Sequence, residues 1–166
     1  MSREVRMVPA NWEHPRDTEG NYIPLLSDFK DCNELYNKQI EQWKNGFYFC
    51  FIENNWKLRG TDQTVTFEDY CGARPEEHDY MPDWAETDRT HYQMYETTTE
   101  GTPISPVIET AEGLAHWLAD NNASSFGQMS ATYDQWLAMI NGCGWATSAV
   151  IIPGKGLISG VEATCI

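Results

Sequence analysis

The sequence predicts an α+β fold: a small single domain in which antiparallel hairpins pack with about three amphipathic helices. Two hairpin-like strand pairs flank two helical stripes in residues 91–166, and a longer helical stripe earlier in the chain adds a further packing layer. With 166 residues, 41% hydrophobic and 13% aromatic, there is enough apolar material to offset the ordering entropy of one domain of ordinary size.

Glu4–Val8 alternates as a short strand, and Pro9, which has no N–H to give a ladder, limits its extension. Residues 9–26 hold three prolines and Gly20 and read as an extended N-terminal connection. From Ser27 the period becomes helical: Phe29, Cys32, Tyr36, Ile40 and Trp43 form one stripe of a helix over 27–46, capped by Ser27 or Asp28 and stopped at Gly46. The apolar run Phe47–Ile52 fits either a short buried strand or a packed loop. Thr66 caps a helical turn that Gly72 and Pro75 end. Within the acidic stretch 62–90, residues 74–90 carry most of the acids between prolines, and Tyr80, Met81 and Trp84 are positioned to pin this loop to the body.

The α+β core is expected over 91–166. His91–Thr97 alternates as a strand, 99–104 turn the chain, and Ser105–Glu109 is a second strand whose Pro106 places it at an edge. Thr110 caps a helix from Ala111 to about Asn121 that buries Leu114, Trp117 and Leu118. Ser130 caps another with Tyr133, Trp136, Leu137 and Ile140 on one face, closed by Asn141 and Gly142. Ser148–Ile152 and Leu157–Val161 flank a Pro153–Gly156 turn. The Gly-x-Gly of that turn is followed by strand-like residues, not by the helix N-terminus a phosphate cradle needs.

Charge excludes more than it identifies. The chain carries 25 acids against 11 Lys and Arg, a formal charge of −14. Residues 1–61 are nearly neutral, whereas 62–89 carry nine acids and two bases, and 90–166 carry seven acids and Lys155 alone. Direct nucleic-acid binding is therefore not expected, since phosphate contacts need a basic face. No apolar run is long enough to cross a bilayer, and the start lacks a secretory core, so no membrane association and a cytoplasmic location are expected. Cys32, Cys50, Cys71, Cys143 and Cys165 are odd in number with no C-x-x-C pair, which predicts free thiols, mostly buried.

No constellation of catalytic or metal-ligating residues emerges, and no cofactor is expected. His14, His78, His91 and His116 are scattered, without the spacing of a zinc site. The acids of 76–88 lack the spacing of a calcium loop. No serine lies in a nucleophile elbow, and Cys143 follows a helix C-terminus, whose negative dipole end opposes a thiolate. Two surfaces stand out instead. One is an acidic face of Glu76, Glu77, Asp79, Asp83, Glu86, Asp88, Glu96 and Glu100, suited to a basic partner. The other is the hydroxyl-rich Thr97–Pro106 loop, a rigid turn or a ligand loop, with Tyr92, Tyr95, Thr98, Thr99, Ser105 and Trp117 as candidate contacts.

The segments SREVRMVPANWEHP (2–15), DYMPDW (79–84) and HYQMYETTTEGTPISPV (91–107), with AHWLADN (115–121) and YDQWL (133–137), resemble an accessory protein family of tailed bacteriophages. The likeness covers most of the chain outside 28–65. It implies synthesis in an infected bacterium and action in the host cytoplasm, and brings no catalytic residue. By analogy with other small acidic phage proteins, it points to a non-enzymatic protein that binds and inhibits a host or anti-phage defence protein with a basic surface, for instance by occupying a nucleic-acid-binding site. A small-molecule or nucleotide-binding role for the 97–106 loop, enzymatic or not, and a minor virion or assembly role are the alternatives.

Overall fold

A computed structural model describes residues 2–60, 65–97 and 101–165. In chain order the elements are β1 (Ser2–Val8), α1 (Phe29–Lys44), β2 (Phe47–Cys50), β3 (Asn55–Leu58), α2 (Phe67–Cys71), β4 (His91–Thr97), β5 (Thr102–Pro103) and α3 (Ala111–Asp120). They continue with β6 (Ser124–Phe126), β7 (Met129–Ser130), α4 (Tyr133–Asn141), β8 (Trp145–Ala146), β9 (Ala149–Ile152), β10 (Gly156–Ser159) and α5 (Gly160–Ala163). The fold is α+β, and the named strands pair antiparallel. The chain forms two compact units, Met1–Leu25 with Asp83–Ile166, and Leu26–Pro82.

The first unit is built on a sheet of order β5-β4-β1-β8. β1 and β4 pair along their whole length, from Ser2 opposite Thr97 to Val8 opposite His91. Strand alternation sends Tyr92 and Met94 to one face and Gln93 and Tyr95 to the other. On the first face α3 and α4 supply Leu114, Ala115, Leu118, Trp136, Met139 and Ile140 to the core around Met94. Burying each large side chain here contributes roughly 1.5–3 kcal/mol. The second face is covered by residues 9–25, which is why Gln93, Met94 and Tyr95 are buried in succession where a one-sided strand would alternate. The connection expected over 9–26 is thus a packing layer without regular secondary structure.

Several local expectations change for physical reasons. Ser105–Glu109 does not form a continuous strand; the ladder on β4 is made by Thr102–Pro103, then by Ile104 N–H to the Met94 carbonyl, and resumes only as a single antiparallel bridge of Ile108 with Tyr92. Pro106 has no N–H to continue it, and the Ser105 hydroxyl stands in for main chain by accepting from Met94 N–H at 2.8 Å. The cap of α4 is Thr132, not Ser130: its hydroxyl accepts from Gln135 N–H while Gln135 Oε1 accepts from Thr132 N–H, a capping box. Ser130 belongs to the β6–β7 hairpin, which the periodicity does not reveal. Val161 lies in α5, not in a strand. A Cβ at Gly160 would stand 1.8 Å from the Thr147 carbonyl oxygen, so only glycine permits the close approach at which β10 turns into α5.

In the second unit α1 presents the expected stripe inward, with Tyr36 buried and Phe29, Cys32, Ile40 and Trp43 half-buried. Neither Ser27 nor Asp28 provides a side-chain cap; Asp28 is the N-cap residue but sits in the left-handed region at φ 62°. Phe47–Cys50 resolves as a strand paired with β3, and Phe51 and Ile52 project from the turn. Thr66 caps α2 through a capping box with Asp69, and Trp43 packs edge-on to Phe67 and stacks on Tyr70. The five cysteines are free, as expected; Cys143 and Cys165 are exposed and the other three half-buried, whereas most were expected to be buried.

Candidate functional site

Residues 74–90 of the acidic stretch are anchored from each unit separately. In the second unit Tyr80 is buried, packs edge-on to Phe29 and lies in a parallel bridge with Leu26, reinforced by Leu26 N–H to the Asp79 carbonyl and Met81 N–H to the Leu26 carbonyl. In the first unit Trp84 packs against Trp12 at 4.7 Å between ring centroids. A single-turn 3₁₀ helix, Glu77–Asp79, precedes Tyr80 and another, Glu86–Asp88, follows Trp84. Glu76, Glu77, Asp79, Asp83, Glu86 and Asp88 are all exposed. Arg89 lies 3.7 Å from Asp83, and the His78 ring nitrogens lie 3.4 Å from Glu76 and Asp79.

The predicted face therefore falls into Glu76, Glu77 and Asp79 on the second unit and Asp83, Glu86 and Asp88 on the first. Glu96 does not present a free carboxylate. It lies beside Arg3 at 3.4 Å on the sheet and is largely covered. Burial holds the Arg3 guanidinium below its usual range, and the Glu96 charge opposes that shift. Glu100 lies outside the described residues.

The proposed ligand loop is divided by the pleat of β4. Tyr92 and Trp117 pack against the helix-side core. Tyr95 and Ser105 belong to the opposite side, while Thr98 and Thr99 lie outside the described residues. On that opposite side the structure opens a cleft of about 500 Å³ lined by Trp12, Glu13, His14, Pro15, Arg16, Tyr22, Gln93, Ser105, Pro106 and Val107. Its walls come from 12–22 and 93–107.

A hydrogen-bonded chain runs behind this cleft. Trp12 Nε1–H donates to Tyr95 Oη at 3.1 Å, and Tyr95 O–H donates to Gln93 Oε1 at 2.8 Å. Gln93 Nε2–H donates to the Ser105 carbonyl at 3.0 Å, which fixes the orientation of the amide. His14 closes the other end, with Nε2 at 2.7 Å from the Ile23 carbonyl and Nδ1 at 3.2 Å from Tyr95 Oη. The Ile23 carbonyl can only accept, so Nε2 carries the ring hydrogen. Burial, with further help from the Arg6 and Arg16 charges, lowers the His14 pKa, although the Ile23 carbonyl pulls the other way. Burial raises the Tyr95 hydroxyl to about 12. Arg6 lies over the Tyr95 ring at 4.3 Å and donates to the Leu25 carbonyl at 2.8 Å, pinning the covering segment.

The Ser105 hydroxyl donates to the Pro106 carbonyl at 2.9 Å, so it has no base to activate it. Cys143 donates its thiol hydrogen to the Trp145 carbonyl. Among the described residues no group of three or more His, Cys, Asp and Glu converges as a metal site, and no helix is long and apolar enough to cross a membrane. Trp12, His14, Arg16, Tyr22 and Gln93 are among the cleft residues that sequence reasoning missed. The signal available was Trp12 and His14 closely spaced in a proline-rich connection whose polar and aromatic side chains face the back of a strand. No family model, curated protein or solved structure matches the chain.

Proposed function

We propose that the chain is a phage accessory protein that acts in the host bacterial cytoplasm by binding a host or anti-phage defence protein with a basic surface. It catalyses no reaction, contacts no nucleic acid directly, and inhibits its target, for instance by covering a nucleic-acid-binding site. One observation supports this reading above others: each unit holds three exposed carboxylates on backbone tied down within that unit, at Tyr80 in one and at Trp84 in the other. Carboxylates on anchored backbone lose less entropy on binding than those of a flexible acidic tail. Their field speeds encounter with a basic groove and weakens as salt rises. Affinity purification from infected cells at low salt tests it. A specific host protein should be recovered, and reversing Glu76, Glu77, Asp79 and Asp83 to lysine should weaken binding on the order of 30-fold, taking roughly 0.5 kcal/mol per exposed charge contact. Recovery of no host protein, or unchanged binding by the reversed variant, refutes the reading.

A second reading, small-molecule binding beside the 97–106 loop, is favoured by the cleft that Ser105 and Pro106 help to line. It is independent of the acidic array.

A further inference from the structure

The cleft allows its ligand to be specified, an inference that rests on the second reading. His14, Gln93 and Ser105 line it while more than nine-tenths buried, and buried polar groups require partners. The donors and acceptors do not balance within the protein. Tyr95 has one hydroxyl hydrogen for two acceptors, Gln93 Oε1 and, while His14 is neutral, His14 Nδ1. Gln93 gives one amide hydrogen to Ser105, and its second has no acceptor among the described residues. A ligand edge that donates to Gln93 Oε1 and accepts from Gln93 Nε2 removes both deficits, because it releases the Tyr95 hydroxyl to His14.

We propose that the cleft binds the nucleobase of a free nucleoside or nucleotide. A carboxamide pairs bidentately with adjacent donor and acceptor atoms, as Gln does with the N6/N7 edge of adenine. Trp12 and Tyr22 both line the cleft, each edge-on to the His14 ring at 82° and 86°, and aromatic side chains of this kind are platforms on which planar bases can stack. Arg16 lies 3.7 Å over the Tyr22 ring and uses Nη1 on the Gly20 carbonyl, leaving donors at the exposed rim for a 5′-phosphate. The volume of about 500 Å³ is in the range of small-ligand sites. A polymer is disfavoured by the −14 charge of the chain.

The test is ¹⁵N-resolved NMR of the full chain titrated with adenosine, uridine, AMP, UMP and a single-stranded oligonucleotide, alongside N-acetylproline amide and a general fragment panel. Adenosine is expected to shift the Trp12 indole and Gln93 amide signals more strongly than uridine, and AMP to bind several-fold tighter than adenosine. The rim variants Tyr22→Ala and Arg16→Ala, chosen because both side chains are exposed, should weaken AMP binding about tenfold without loss of dispersion. Gln93→Glu should reverse the preference for adenine. Shifts from fragments or the proline amide but from no nucleoside or nucleotide overturn the nucleobase assignment and leave the second reading standing. An absence of cleft shifts from every probe overturns both, and tighter binding of the oligonucleotide than of AMP overturns the free-nucleotide source.

Discussion

Removing one oxygen, in Tyr95→Phe, probes the polar layer behind the sheet most sharply. Tyr95 Oη accepts from Trp12 Nε1 and donates to Gln93 Oε1, with His14 Nδ1 on its remaining side. Trp12 is half-exposed and can turn to water, whereas Gln93 and His14 are 5% and 7% exposed and cannot readily do so. The hydroxyl hydrogen serves one of these two acceptors at a time, so its removal leaves one further buried group without a partner, and the variant should lose about 1–3 kcal/mol. Urea denaturation followed by far-UV circular dichroism should show a lower midpoint with an unchanged slope. The same residue gives an alkaline signature. Its hydroxyl ionises at about 12 in the fold, against about 10 in an unfolded chain. Its contribution is complete below pH 10 and is lost as pH rises from 10 towards 12, on the order of 3 kcal/mol. Tyr95→Phe should abolish that decline. A loss below about 0.5 kcal/mol, or an alkaline decline identical to wild type, would refute the hydrogen-bonded layer.

Three further outcomes follow from the same geometry. His14 is held neutral by burial, so its folded pKa lies below the unfolded value near 6.5; stability is fully present above pH 6.5 and falls as acid protonates it, and His14→Gln should flatten the slope of urea midpoint between pH 7 and 5. Gly160→Ala places a Cβ against the Thr147 carbonyl and should cost at least about 2 kcal/mol by thermal denaturation. Thr132→Ala should cost about 1 kcal/mol by loss of the α4 cap, whereas Ser130→Ala, on the exposed hairpin, should change stability by less than about 0.5 kcal/mol.

Where one physical signal dominates locally, the sequence is readable. β4, α3 and α4 show clean periods, and Thr110 caps α3 where a capping residue precedes an apolar stripe. The cap of α4 was misplaced because Ser130 and Thr132 both precede the stripe, and only the reciprocal Gln135 bond separates them. The acidic loop was readable too, since Tyr80 and Trp84 are the large side chains able to anchor it. The cleft was not. Its floor depends on which side of β4 each side chain faces and on a connection with no period that folds back over that side. Pleat alternation alone separates Tyr92 from Tyr95, but a reading centred on the 97–106 loop grouped them together. The pairing of Glu96 with Arg3 was equally hidden, being set by the β1–β4 register.

The central claim is that the carboxylates of 76–88 engage a basic protein surface. Quantitative affinity purification from infected cells at 50 and 500 mM salt, using wild type and the Glu76, Glu77, Asp79 and Asp83 lysine variant, tests it most directly. A host protein enriched by the wild type at 50 mM, diminished at 500 mM and missing from the variant is the predicted result. Equal recovery of every host protein by the two forms at both salt concentrations would contradict it.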